Sequence, residues 1–154
     1  MELNKDFREF IELLNAHEVQ YLVIGGYAVN FHGYPRYTQD IDFWIWMAEA
    51  NIRRLLTAMR AFGFGSLGLD VEDFKDPENV IQLGYAPYRI DMLVDVNGLE
   101  FETSYQRSTQ AELDGVVVRF LSLPDLVIAK KNAGRLQDLA DAEQLEKLAR
   151  KKRN

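Results

Sequence analysis

The stretch IGGYAVNFHGYPRYTQDIDF, residues 24–43, decides how this chain is read. It begins with a Gly-Gly pair closing a short apolar run. It ends with Asp40 and Asp42, one residue apart, at the mouth of a second apolar run, Phe43 to Met47. If Thr38 to Met47 is a strand, alternation puts both aspartates on one face with Cα atoms roughly 6.6 Å apart. Two carboxylates ~5 Å apart at an effective dielectric of ~20 repel by about 3 kcal/mol. A protein relieves that by protonating one, by exposing both to water, or by binding a cation between them. Hard divalent cations prefer oxygen ligands, and Mg²⁺ commonly takes one or two carboxylates plus substrate phosphates.

A third carboxylate fits the same logic. In YRIDMLVDV, residues 88–96, Asp91 sits between Ile90 and Met92 in a strongly apolar run. A buried strand aspartate needs a partner, because an unpaired buried charge is costly. If that strand lies beside the one carrying Asp40 and Asp42, three carboxylates converge, enough charge for two metal ions about 4 Å apart. Asp91 reads equally as a core residue salt-bridged to Arg36 or Arg89. Gly25 and Gly26 follow an apolar strand and precede a short helix, so backbone N–H groups there can face a polyphosphate. A tight turn is the plainer reading of the same glycines. No G-x-G-x-x-G follows Ile24 and no G-K-[ST] occurs, which leaves dinucleotide-binding and P-loop assignments without support.

The totals frame these motifs. At 154 residues the chain is most economically one domain, 1–154, with a core to about residue 123 and C-terminal helices over 124–151. The apolar fraction of 47% and charged fraction of 27% are those of an ordinary globular protein. No run approaches the roughly 18 apolar residues of a membrane span, and MELNKDFREF lacks the pattern of a signal peptide. A cytoplasmic location is therefore expected. Cysteine is absent, which removes thiolate metal sites and cysteine nucleophiles, and His17 and His32 are too few for a multi-histidine zinc site. The net charge of −6 argues against non-specific coating of nucleic acid. The basic tail KLARKKRN suits a solvated helix end.

Along the chain, residues 4–17 read as an amphipathic helix capped by Asn4, and QYLVIGG as a short buried strand. Residues 27–32 suggest a short helix stopped near Gly33 and Pro35, and 49–62 a longer one. VIQLGY (80–85) and YRIDMLVDV (88–96) read as strands paired across Gly84 to Pro87, and GVVVRFLSL (115–123) as another strand. The signal over 99–107 is weak. Ser122 and Pro124 open a helix ending at Gly134, and a last helix runs from Arg135 to about Lys151. The order is mixed α/β (α+β), a mixed central β-sheet flanked by helices, with strands too often consecutive for a purely parallel sheet.

The run 24–43 resembles the motif of the DNA polymerase β-like nucleotidyltransferase superfamily. In it a hydrophobic residue and Gly-Gly precede, after a spacer, Asp-hydrophobic-Asp. Asp91 in RIDML matches that superfamily's third carboxylate. The wording is most similar to small AbiEii-like, toxin-type nucleotidyltransferases, whose C-terminal block matches LPDLVIAKKNAGRLQDLADAEQL, residues 123–145. The resemblance implies the nucleotidyltransferase fold, with Asp40, Asp42 and Asp91 as metal ligands and catalytic residues. It implies Gly25 and Gly26 beside a nucleoside triphosphate, and Mg²⁺ or Mn²⁺ as cofactor. Lys130 and Arg135 match basic residues of the C-terminal block and are candidates for phosphate contacts. Arg135 reads equally as a partner of Asp138 or Asp141. Arg36 and Thr38 organise the loop before the aspartates, or Arg36 touches phosphate. His32 reads as a structural loop residue. Tyr27, Tyr34 and Tyr37 are candidates to stack a base, with Trp44 better placed for packing.

The expected activity is transfer of a nucleoside monophosphate to a hydroxyl on an RNA 3′ end such as tRNA, a protein or a small molecule. The short chain leaves the acceptor to its own helices, to a second copy in a homodimer, or to a partner such as a cognate antitoxin or toxin. A non-catalytic nucleotide-binding module is the alternative, and a metal-dependent phosphoesterase is a third reading.

Overall fold

The structure, a computed structural model, describes residues 3–85 and 87–153. Ala86, within the connection expected at 84–87, and Asn154, at the end of the basic tail, lie outside these. Six strands form one sheet: β1 (Tyr21–Ile24), β2 (Ile41–Ile45), β3 (Val80–Tyr85), β4 (Tyr88–Leu93), β5 (Thr109–Leu113) and β6 (Val116–Phe120). Their spatial order is β3-β4-β2-β1-β6-β5. The pairs β2–β4 and β1–β6 are parallel, whereas β1–β2, β3–β4 and β5–β6 are antiparallel. The sheet is therefore mixed, as the consecutive strands of the sequence require. Of its two central strands β1 is wholly apolar and β2 apolar apart from Asp42, because both of their faces are covered.

The helices follow from local signals. In α1 (Lys5–Ala16) the Asn4 side chain accepts from the Asp6 N–H at 2.8 Å, and Phe7, Phe10, Ile11 and Leu14 form the buried face. That face packs on α3 (Glu49–Phe62) and on β6. α2 (Gly25–Phe31) begins directly at the end of β1, two residues earlier than the sequence suggests. α5 (Leu123–Ala133) is capped by Ser122, which accepts from the Asp125 N–H at 3.2 Å, and it ends at Gly134 in the left-handed region. It packs along α6 (Leu136–Arg153), which runs through the basic tail. No described helix is long and apolar enough to cross a membrane.

β4 and β6 end sooner than the runs 88–96 and 115–123 suggest, and further differences lie in β2, the weak region and β5. β2 is shorter than Thr38 to Met47, so Asp40 falls just before the strand while Asp42 lies in it. The weak region contains α4 (Phe101–Gln106), whose Phe101 and Ser104 are buried. β5 (TQAEL) has no apolar run because it is an edge strand whose residues alternate between half-buried and exposed.

One buried polar residue joins layers. Asn51 on α3 is wholly buried; its amide donates to the Trp46 carbonyl at 2.7 Å and the Gln20 carbonyl at 3.1 Å, and accepts from the Gln20 N–H at 2.7 Å. It thus ties α3 to backbone groups just outside β1 and β2, where the Gln20 carbonyl also accepts from the Trp46 N–H at 3.3 Å. Asn51→Ala should lower unfolding free energy by about 2–4 kcal/mol, because three backbone groups lose a partner at once. Urea denaturation measures this; a loss below about 0.5 kcal/mol would show that water replaces the amide.

Candidate active site

Parallel pairing of β2 with β4 sets Asp42 opposite Asp91 in register. The antiparallel pairing of β1 with β2 sets Ile24 opposite Asp42, which brings the following glycine against the carboxylate. Gly25 has φ +69°, and a Cβ there would lie 2.2 Å from Asp42 Oδ2. Only glycine fits. A Cβ on Gly26 would stand 2.9 Å from Thr38 Oγ1, and that hydroxyl donates to the Asp40 carbonyl at 3.0 Å. The Gly-Gly pair is thus packed by the same loop that delivers Asp40. Ile24, before α2, provides no side-chain cap, which leaves the first-turn amides without one.

Arg89 organises the carboxylates. Its Nε and Nη2 donate to the two oxygens of Asp91 at 2.7 and 3.0 Å. Nη2 also lies 3.3 Å from Asp40 Oδ2, and the Arg89 backbone N–H donates to Asp40 Oδ1 at 3.1 Å. Of the two arginines that the sequence offers to Asp91, the structure selects Arg89, two residues away on the same face of β4. Arg36 lies elsewhere, on Asp141. Asp42 receives no such partner. Burial, with the charges of Asp91 and Asp40 beside it, pushes its carboxyl up to about 6 against the pull of Lys130 and Arg89.

The facing wall is basic and comes from the C-terminal helices. Lys130 Nζ lies 3.1 Å from Asp141 Oδ2 and 3.3 Å from Asp138 Oδ1, and Arg135 Nε donates to Asp138 Oδ2 at 2.7 Å. Arg36 pairs with Asp141 as well. Burial alone would raise the Asp138 carboxyl; its bonds to Arg135 and Lys130 more than reverse that and hold it below its ordinary range. Asp138 and Asp141 are buried, Lys130 is nearly so, Arg36 is partly exposed and Arg135 reaches into solvent. The Asp-x-x-Asp spacing on α6 thus orients a cationic wall instead of adding to the carboxylate site.

All nine residues singled out above line one cleft of about 410 Å³: the two glycines, Arg36, Thr38, the three aspartates, Lys130 and Arg135. The aromatic candidates do not line it. Tyr27 is buried edge-on to Phe7, Trp44 is buried edge-on to Phe101, and Tyr34 and Tyr37 lie outside it. His32 is buried with Nε2 2.7 Å from the Leu121 carbonyl, a structural position. The sequence reading missed Asn30, whose amide oxygen accepts from the Arg36 N–H at 2.8 Å and whose nitrogen donates to the Gly26 carbonyl at 3.2 Å. It ties the glycine turn to the Arg36 loop. An asparagine inside an apolar helix run was the only available signal.

The mixed six-stranded sheet with its flanking helices is a nucleotidyltransferase fold, and its cleft sets an aspartate pair across adjacent parallel strands against a glycine turn and a cationic wall. The chain belongs to the family described as "Nucleotidyltransferase of unknown function (DUF6036)", whose model matches residues 2–150. The fold is shared with a lincosamide antibiotic adenylyltransferase, LnuA, solved with lincomycin bound (TM-score 0.61, 12% identity, 96% of this chain and 98% of that one). It is shared with a Thermotoga maritima protein, TM1012, that carries a provisional nucleotidyltransferase assignment (0.58, 16%, 94% and 91%). An antigenic nucleotidyltransferase-like protein of Paracoccidioides brasiliensis also shares it (0.53, 14%, 96% and 78%). No curated protein matches the chain.

The raised Asp42 carboxyl carries a stability consequence. Well below pH 3.8 the group is protonated both folded and unfolded and costs nothing. Between its ordinary value of 3.8 and about 6 the folded state holds the proton longer, so stability falls as pH rises through that window and stays reduced above it. In metal-free buffer Asp42→Asn should therefore stabilise the protein at pH 8 by about 1–3 kcal/mol, a gain that is lost by about pH 3. Thermal unfolding at both pH values, in chelator, measures it; destabilisation at pH 8 would mark Asp42 as a structural aspartate.

Proposed function

We propose that this protein transfers a nucleoside monophosphate from a nucleoside triphosphate to a hydroxyl acceptor, with release of pyrophosphate. The observation that carries the proposal is the in-register opposition of Asp42 and Asp91 beside the Gly25–Gly26 turn, facing a wall of Lys130, Arg135 and Arg36. The donor's phosphates would lie between the glycine amides and that wall. The acceptor oxygen bonds to the α-phosphorus, the bridge to the β-phosphate breaks, and pyrophosphate leaves with its charge met by the cations. Asp91 takes the acceptor's proton, and Thr38 and Asn30 keep the turn and loop in register.

The site chemistry suits a divalent cation. The donor set is all oxygen, and Asp42 has no direct cationic partner, the arrangement of a hard cation such as Mg²⁺ or Mn²⁺. No three acidic or histidine side chains among the described residues already converge as a cation site, and Arg89 supplies the positive charge between Asp40 and Asp91. The carboxylates fit the ion provided Arg89 yields. When bound, such a cation would lower the pKa of the acceptor hydroxyl and neutralise phosphate charge.

The same arginine favours a second reading. If Arg89 holds Asp40 and Asp91 permanently, the chain is a nucleotide-binding module without transfer that acts through a partner protein. The finer readings rest on the resemblance of residues 24–43 and 123–145 to toxin-type enzymes. These are an RNA 3′ end, protein or small-molecule acceptor and a toxin–antitoxin setting; a homodimer rests instead on the few residues left for an acceptor-binding domain.

Incubation with Mg²⁺ or Mn²⁺, each α-labelled nucleoside triphosphate and either bulk tRNA or cell lysate tests the proposal. Label should pass to an acceptor, and Asp42→Asn should reduce transfer at least 100-fold, about 2.7 kcal/mol of transition-state stabilisation. Nucleotide binding without transfer under every metal and acceptor would support the binding module. Phosphoester hydrolysis without transfer would support a phosphoesterase.

A further inference from the structure

The polar cleft adjoins a second hollow, of about 310 Å³, whose walls are of different chemistry. The two share Gly25, Asp42, Lys130, Arg135 and Asp138, so they meet at the Asp42 carboxylate and the cations. Beyond that junction the second hollow turns apolar. Leu93 and Val96 come from the end of β4 and the segment after it, and Leu126, Ala129 and Ala133 from one side of α5. Its polar residues are Asp95 and Asn97, both exposed. The segment bearing them is held on α5 by a close approach of Gly98, where a Cβ would lie 2.3 Å from Asn132 Nδ2.

Two parts of a reaction complex compete for this hollow, the acceptor and the nucleoside of the donor. Asp91, the group placed to take the acceptor's proton, lines only the polar cleft, as do Gly26, Arg36 and Thr38. An acceptor hydroxyl must therefore arrive through the polar cleft. The apolar hollow opens at Gly25, Asp42 and Lys130, where the α-phosphate would lie, and a nucleoside is what an α-phosphate carries. Its volume falls in the lower part of the range of about 300–1,000 Å³ usual for ligand pockets, suited to a base and sugar.

On the reading that the polar cleft binds a triphosphate, we propose that this hollow is the nucleoside pocket of the donor. Asp95 selects bases that bear an exocyclic amine. The apolar walls take the faces of the base and exclude water from them. An ionised carboxylate only accepts hydrogen bonds, so Asp95 takes an N–H from adenine, cytosine or guanine. Uracil has no exocyclic amine, and its one edge N–H, at N3, is flanked by two carbonyls that repel the carboxylate. A site built for a donor rejects the analogue lacking it, because its own polar group is then left unpaired.

Equilibrium binding of ATP, UTP and inorganic tripolyphosphate, each with Mg²⁺, tests the inference on the wild type and three variants. ATP should bind the wild type at least tenfold tighter than tripolyphosphate, and UTP more weakly than ATP. Ala129→Phe fills the hollow and should bring ATP down to the affinity of tripolyphosphate, which itself stays unchanged. Ala133→Phe, at the exposed end of α5, repeats the test should the first substitution disturb packing. Asp95→Ala should close the gap between ATP and UTP. The inference is overturned if ATP binds no tighter than tripolyphosphate, or if both filled variants keep ATP's advantage. It is overturned for Asp95 if UTP equals ATP in the wild type. Equal binding of ATP and tripolyphosphate would leave the phosphate cleft standing and remove the nucleoside pocket. Binding of neither would remove the transferase reading and this inference together.

Discussion

The opposition of Asp42 and Asp91 across β2 and β4 is the constraint on which the rest of the site depends. Like charges facing each other on neighbouring strands destabilise a sheet, and here they do so near the middle of a six-stranded one. The chain answers at two points. Arg89 reaches from two residues away to hold Asp91 and Asp40, and Asp42 is left with a carboxyl that resists ionisation. An answer built from one partly exposed guanidinium and an acid pushed towards its protonated form is a costly one. An apolar pair would have made a more stable sheet. Such a residual electrostatic cost is expected where the missing charge arrives with a ligand.

The surrounding fold supports this arrangement more than it needs it. The sheet and the α1–α3 layer form a continuous apolar core, and Asn51 ties α3 to the backbone just beyond β1 and β2. α5 and α6 do separate work. Their buried Asp138 and Asp141 share three cations and aim them across the cleft at the carboxylates. A buried acid that orients an exposed base is a stable device, because the acid's burial cost is offset by more than one hydrogen-bonded cation. One wall of the cleft is therefore electrostatically satisfied and the other is not.

Much of this was legible in residues 24–43. The apolar runs YLVI and IDFWI have no choice but to be central strands, and the spacing from Gly25 to Asp42 was enough to bring the turn and the acid together. Asp91 was legible because an aspartate between Ile90 and Met92 has no solvent to face. Its partner was not, since Arg36 and Arg89 were equally near in chemistry and only the strand's alternation favours Arg89. β5 was not legible because TQAEL is an edge strand that buries little, nor was α4, which is too short to show a period. The tyrosines misled for a simple reason. Exposure cannot be read from residue type, and Tyr27 proved to be core while Tyr37 faces solvent away from the cleft.

The account requires that the positive charge now supplied by Arg89 stand in for a divalent ion. The most direct measurement is a crystal structure grown with Mn²⁺ and a non-hydrolysable nucleoside triphosphate, with anomalous scattering to locate the metal. Manganese bound by Asp42 together with Asp40 or Asp91, and Arg89 turned away from the carboxylate it releases, is the predicted result. Nucleotide bound with Arg89 still bridging Asp40 and Asp91, and no anomalous peak beside Asp42, would contradict it.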